Sequence, residues 1–147
     1  MDKTNLALLE ELQKDGRLSH SELGRRVRRS APAVTERVRR LEEAGFITRY
    51  AARVPAKALG YGITAIVAVT LPSSGYKPIY ELAHTLTEIR ECYHVAGEVS
   101  LILKALARDI EHLEATPQKI QTFGSTHTSI VMSAPVVKDI FEFAPGR

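Results

Sequence analysis

The stretch from Ser19 to Gly45, SHSELGRRVRRSAPAVTERVRRLEEAG, leaves few folds open to the first third of the chain. Ser19 and Glu22, bracketed by Leu18 and Leu23, have the spacing of a capping box with a hydrophobic staple, which starts a helix at Ser19. Ser30 is placed to be the next N-cap, with Pro32 in a first turn where its missing N–H costs nothing. Gly45 supplies a left-handed stop for the helix that follows. Two short helices joined by a tight basic turn make a helix-turn-helix.

The second of these helices divides by angle. Val34, Val38 and Leu41 recur at i, i+4 and i+7 and form an inward stripe. Pro32, Glu36, Arg39 and Glu43 point the opposite way, flanked by Ala33, Thr35 and Arg40. Small residues early and arginines later suit a recognition helix whose first turns enter the major groove while the arginines reach phosphates. A merely solvated helix, with Glu36 and Arg40 paired at i,i+4, is the competing explanation. Charge placement favours DNA. The net charge of +3 is uneven: residues 1–55 hold 12 Lys/Arg against 8 Asp/Glu, and residues 56–147 hold 8 against 9. Within 17–40 lie eight arginines (Arg17, Arg25, Arg26, Arg28, Arg29, Arg37, Arg39, Arg40) against Glu22 and Glu36. A basic membrane-surface helix fits less well, since the apolar stripe is needed for core and carries no Trp or Phe.

At 147 residues the chain holds one ordinary domain or two small ones. Cys92 is the single cysteine, so neither an intrachain disulfide nor a cysteine metal framework is expected. It lies in a strand-like run and reads as a small buried hydrophobe. No signal pattern opens the sequence, and its longest apolar run, Ala65–Val69, is too short to span a bilayer. A cytoplasmic protein is the expectation.

Along the chain, Thr4 is placed to cap a first helix with Leu6, Leu9 and Leu12 as its stripe and Gly16 closing it. Those leucines would share a core with Leu23, Val27, Val34, Val38 and Leu41. Phe46–Tyr50 is β-prone, and Arg49 and Arg53 there either touch the DNA backbone or are solvated. The breaker-rich run 55–62 ends the first unit. Then come a strand over 63–71, a loop over 72–75, a helix over 78–87, strands over 89–96 and 101–107, a helix capped by Asp109 and carrying Ile110, Leu113 and Ile120, and a strand over 126–133. Pro117 should kink or split that last helix. The order β-α-β-β-α-β is that of ferredoxin-like folds, whose apolar second sheet face invites a partner and hence dimerisation. The fold class is therefore α+β, with residues 1–54 as the helix-turn-helix domain, 55–62 as linker and 63–147 as the ferredoxin-like domain.

With both halves read, the chain resembles the Lrp/AsnC family of transcriptional regulators over nearly its whole length. The resemblance rests on Leu12-Gln13-Lys14-Asp15-Gly16-Arg17-Leu18-Ser19, on Glu36-Arg37-Val38-Arg39-Arg40-Leu41-Glu42 and on Gly45-Phe46-Ile47. Val95-Ala96-Gly97, Leu103-Lys104 and Thr126-His127-Thr128-Ser129-Ile130-Val131 add to it. It implies a winged helix-turn-helix with a short β-hairpin, a dimerising C-terminal domain, assembly into tetramers or octamers, and an amino acid or related metabolite bound between dimers. Gly97, Glu98, Ser100, Thr126 and Thr128 are the effector-site candidates. Two departures stand out. Arg28-Arg29 occupies the turn where the family commonly has Gly-Leu; a left-handed Arg28 would carry about 1–2 kcal/mol of strain, and Arg29 would lay its stem over a leucine site. The loop reads Gly97-Glu98-Val99-Ser100 where Gly-Asp-x-Asp is usual, so Ser100 offers a bound ammonium group no charge.

The expected DNA surface comprises Ser21, Arg25, Arg28, Arg29, Ser30, Ala31, Pro32, Ala33, Thr35, Glu36, Arg39 and Arg40. Arg25, Arg28, Arg39 and Arg40 are expected at the backbone; Pro32, Ala33, Thr35 and Glu36 lie nearest base edges, with Glu36 able to accept from a cytosine amino group. The partners are double-stranded DNA, further copies of the chain and an amino-acid-like effector; no cofactor, metal ligand or catalytic residue is expected. Two other readings remain: DNA compaction without a ligand, and an enzyme resembling the sirohaem decarboxylases. The latter would use His84, His94, His112 or His127, none of which has close metal-ligand spacing.

Overall fold

The computed structural model describes residues 1–72 and 75–141 and divides into two units, 1–53 with 136–141, and 54–135. In the first unit lie α1 (Lys3–Lys14), α2 (His20–Val27) and α3 (Ala31–Glu43). Their buried side chains are Leu8, Leu9, Leu23, Val34, Val38 and Leu41, with Leu12, Leu18, Val27 and Ile47 packed around them. The α3 stripe is therefore the expected one, whereas α1 buries Leu8 and Leu9 and leaves Leu6 half-exposed. The helix begins earlier than Thr4: Asp2 is the N-cap, its carboxylate accepting the Asn5 N–H at 2.8 Å. A third residue of the unit secures that end, since Arg37 Nη1 donates to Asp2 Oδ2 at 2.6 Å and to Asn5 Oδ1 at 2.7 Å.

The helix-turn-helix closes on backbone contacts. Ser19 Oγ accepts the Glu22 N–H at 3.1 Å, so α2 is capped as its spacing requires. Glu22 turns its carboxylate to Arg26 and Arg25. At the other end the Arg28 backbone is left-handed (φ 56°, ψ 50°), and the Arg29 N–H reaches the Gly24 carbonyl at 2.8 Å. Gly24 is required there: a Cβ on it would lie 2.5 Å from the Arg29 carbonyl oxygen. Ser30 occupies the N-cap position of α3, yet its hydroxyl makes no capping bond. Pro32, in the first turn, lacks one of the N–H groups such a cap serves. Arg29 is exposed and its guanidinium reaches Thr4 Oγ1 at 3.4 Å.

After α3, Gly45 takes φ 74°. Residues 46–55 then run without a strand, so the expected hairpin is absent among the described residues. Tyr50 ties this segment down instead, donating to Glu42 Oε1 at 2.9 Å. Arg53 pairs with Asp139, and Gln13 exchanges two hydrogen bonds with the Phe141 backbone (3.1 and 2.8 Å). Residues 136–141 thus belong with the helical unit, although the sequence pattern grouped everything from 63 onward.

The second unit opens with a 3-10 turn (Ala56–Leu59), followed by β1 (Ile63–Thr70), α4 (Tyr76–Thr85), β2 (Ile89–His94), β3 (Leu101–Ala107), α5 (Ile110–Ile120) and β4 (Ser125–Ile130). The loop expected at 72–75 falls partly outside the described residues. The strand order β2-β3-β1-β4, antiparallel throughout, is the ferredoxin-like arrangement. Alternation makes one face of β1 and β3 the core: Val67, Val69, Leu101, Leu103 and Ala105 pack with Ile79 and Ile120 from the helices. Burying each of the leucines is worth about 1.5–3 kcal/mol. The other face carries half-buried Ile66, Ala68, Ile102 and Leu106 beside exposed Tyr93, with Lys104 and Glu91 paired at 2.9 Å.

Of the two outcomes expected at Pro117, a kink or a split, the split does not occur: α5 runs on to Ile120. The proline sits in the last turns, where the helix forgoes one hydrogen bond while the ring is buried beside Thr116 and Ile120. Ile110, the first residue after the Asp109 cap, is 53% exposed. Cys92 is also exposed, on edge strand β2, and burial of part of its side chain raises the thiol pKa.

Substitution Gly24→Ala should lower stability by about 1–3 kcal/mol through overpacking against the Arg29 carbonyl. Arg28→Gly should raise it by about 1 kcal/mol by relieving the left-handed strain, and Arg28→Ala should not. Urea unfolding followed by helical signal checks all three.

Candidate nucleic-acid interface

The outward surface of α3 is built from four kinds of group. Its first turn offers the exposed Pro32 ring and the half-buried Ala33 methyl. Thr35 is exposed but engaged: its hydroxyl donates to the Ala31 carbonyl at 3.0 Å and lies 2.8 Å from His20 Nδ1. Glu36 is held by two arginines, accepting from Arg39 Nη2 (2.8 Å) and Arg40 Nε (2.7 Å) at Oε1 and from Arg39 Nε (3.0 Å) at Oε2. Arg39 also reaches Glu43. These bonds make one continuous i,i+3 and i,i+4 lattice along the exposed face.

The lattice alters the charge reading. Over its whole length α3 carries three arginines (Arg37, Arg39, Arg40) and three glutamates (Glu36, Glu42, Glu43), so it is net neutral. The surplus positive charge lies in α2 and the turn, a stretch that holds Arg25, Arg26, Arg28 and Arg29 and one acidic residue, Glu22. Arg26 and Arg37 are latches: Arg26 joins Glu22 to Glu11 of α1, and Arg37 holds the start of α1. Arg25, Arg28, Arg39 and Arg40 are exposed, as backbone contacts require, and so are Ser21 and Ser30; Ala31 is half-buried. Arg29 is turned toward Thr4. Three arginine hydrogen bonds, two at Oε1 and one at Oε2, leave Glu36 about one of its four acceptor sites for a cytosine amino group.

His20 was not among the expected residues. It begins α2, fifteen positions before Thr35, and only the crossing of α2 and α3 brings the two together. No spacing rule within one helix marks such a pair.

The effector candidates in the second unit are less well gathered. Gly97 (φ 139°) and exposed Glu98 stand in the β2–β3 loop. The Ser100 N–H donates to the Val69 carbonyl at 2.8 Å, and Ser100 Oγ accepts the Leu71 N–H at 3.0 Å. Thr126 pairs with Val69 across β1, so it flanks the same strand end as Ser100 and accepts from Gln121 Nε2 at 3.3 Å. Thr128 lines a different groove, of about 350 Å³, between α5 and β4. Two of the candidate histidines, His84 and His94, border one groove between α4 and β2, whereas His112 Nε2 lies 3.1 Å from Glu88 and His127 is on β4.

The hydrogen bonds from Arg39 and Arg40 hold the Glu36 carboxyl at a pKa of about 2, below its ordinary 4.5. A depressed carboxyl keeps its pairing above pH 4.5 and loses it as pH falls toward 2. An NMR titration should find the Glu36 midpoint near 2, and Arg39→Ala with Arg40→Ala should return it toward 4.5. A wild-type midpoint near 4.5 would show that the lattice does not form.

Comparison with known proteins agrees with this geometry. Residues 1–48 match the family model for winged helix-turn-helix DNA-binding, and residues 64–139 match that for the Lrp/AsnC ligand binding domain. The HTH-type transcriptional regulator LrpC of Bacillus subtilis (strain 168) is 38% identical over 133 residues, 90% of this chain and 92% of the relative. Its solved structure superposes with a TM-score of 0.88 over 94% of this chain and 99% of that one. The leucine-responsive regulatory protein of Escherichia coli (strain K12) is 36% identical over 140 residues, covering 90% of this chain and 85% of its own. A feast or famine regulatory protein from M. tuberculosis, solved in complex with L-methionine, is 36% identical with a TM-score of 0.83, over 92% of this chain and 95% of that one. With both of its units matched in order and relatives aligned over nine-tenths of its length, this chain belongs to the Lrp/AsnC family of transcriptional regulators.

Proposed function

We propose that the chain regulates transcription by binding specific sites on duplex DNA as a homodimer or larger closed oligomer, with an amino acid or related metabolite as its effector. The observation that carries the DNA reading is the division of α3: Val34, Val38 and Leu41 are at most 3% exposed, while Pro32, Thr35, Arg39 and Arg40 face outward. A helix so seated, preceded by a basic turn, has the form of a major-groove reader. The half-buried aliphatic face of the sheet, with Ile66, Ile102 and Leu106, supports self-association. Two copies would then address half-sites about 34–36 Å apart, one duplex turn.

Support for an effector comes from the family and from the relative solved with L-methionine. Ligand-free compaction of DNA is the second reading, and one observation favours it: Ser100 supplies no carboxylate, and its oxygen already accepts the Leu71 N–H. The relatives are regulators rather than enzymes. No helix among the described residues is long and apolar enough to cross a membrane.

If a dimer neutralises on the order of eight phosphates, log K should fall against log salt with a slope near −7. Arg28→Ala and Arg40→Ala should each lessen that slope by about 1 for every phosphate left without its arginine, across all sequences alike. Gel retardation at graded salt measures both, and a salt-independent affinity would defeat the reading. A thermal-shift panel of amino acids tests the effector: a ligand at 100 times its Kd adds about 2.7 kcal/mol, and a flat panel selects ligand-free compaction.

A further inference from the structure

Among the groups that α3 turns outward, Thr35 carries the one hydroxyl, and that hydroxyl is already used. The Ala31 carbonyl can only accept, so the hydroxyl proton goes to it, at 3.0 Å. Thr35 Oγ1 is then left to accept from His20 Nδ1–H at 2.8 Å. A hydroxyl has one proton, so Thr35 has no donor to offer a base, and His20 occupies one of its two acceptor positions. What stays without a polar partner is the γ-methyl. The neighbouring outward groups in the first turns, the Pro32 ring and the Ala33 methyl, are hydrocarbon too. The next polar group along, Glu36, is held by Arg39 and Arg40 on both oxygens.

We infer that His20 is a positioning residue which turns the Thr35 hydroxyl inward, so that Thr35 reads thymine through its C5-methyl group rather than by donating a hydrogen bond to a base. Thymine alone among the four bases presents a methyl in the major groove, and apolar contact from Ala or Thr is the fitting way to recognise it. This rests on the DNA reading above and adds to it the base that the first turns of α3 select. His20 enters because it approaches from another helix: without it the hydroxyl keeps only the local bond to Ala31, the weaker of the two by distance.

The test uses the full chain and a duplex selected by it from a random pool, in which each thymine is replaced singly by deoxyuridine, which lacks only the methyl. For the wild type, at least one thymine in each half-site should cost about fourfold in affinity on replacement, the worth of one buried methyl. Thr35→Ser, which keeps the hydroxyl, should lose a similar factor on the parent duplex and become indifferent to that replacement. Thr35→Val, which keeps a methyl in the same place, should bind as the wild type and stay sensitive. His20→Ala should flatten the deoxyuridine response while the salt slope is unchanged, which a merely structural loss of the helix pair would not do. A converged pool with a flat deoxyuridine scan, or a Thr35→Val variant that loses affinity, overturns the inference and leaves the regulator reading standing. A pool that never converges overturns both.

Discussion

The close approach of the Gly24 backbone to the Arg29 carbonyl is the constraint on which the DNA-facing half of the molecule depends. Only a residue without a Cβ lets the end of α2 come so near the start of α3. The approach is closed by the Arg29 N–H bond to the Gly24 carbonyl, and it forces Arg28, a residue with a Cβ, into the left-handed region. The strain falls on an arginine whose exposed side chain stands beside the recognition helix. A cost of about 1–2 kcal/mol at the turn is thus coupled to an added positive charge where phosphates would pass. Once the turn is set, Leu23 and Val34 meet in a fully buried contact, and the exposed face of α3 has one orientation.

The arginines sort into two groups with different physics. Arg26 and Arg37 bridge elements far apart in sequence and are part of what holds α1 to the helix pair. Arg39 and Arg40 pair within their own helix, exposed to solvent, where such pairs are worth little. The lattice orders the exposed face of α3, and the latches hold α1 to the helix pair.

In the second unit, the alternation of β1 and β3 decides nearly everything. Their shared inner face makes the core with Ile79 and Ile120, and the outer face is left aliphatic with one ion pair set into it. The same antiparallel order places Ser100 and Thr126 on either side of Val69. The strand ends therefore bring the effector-loop candidates near each other, while Thr128, two residues on, faces the groove beside α5.

Much of this is local and was readable in the residues. The caps at Ser19 and Asp109, the stop at Gly45, the α3 stripe and the order of strands and helices all follow from spacing within one element, and the structure has them. The errors came where a residue's partner lies elsewhere. Asp2 displaced Thr4 as a cap with Arg37 holding it from α3, and Tyr50 secured to Glu42 the segment whose β-propensity pointed to a strand. Counting arginines located the basic turn but overstated the charge of α3, because Glu42 and Glu43 lie beyond the arginine cluster and Glu43 folds back onto Arg39. The sequence by itself determined which residues could form each helix and strand, since periodicity and capping act over three or four neighbours. Only tertiary structure decided which polar groups remain free to act. His20 on Thr35, Leu71 on Ser100 and Asp139 on Arg53 are long-range pairings, and each uses a donor or acceptor within the fold that the local sequence would have left open.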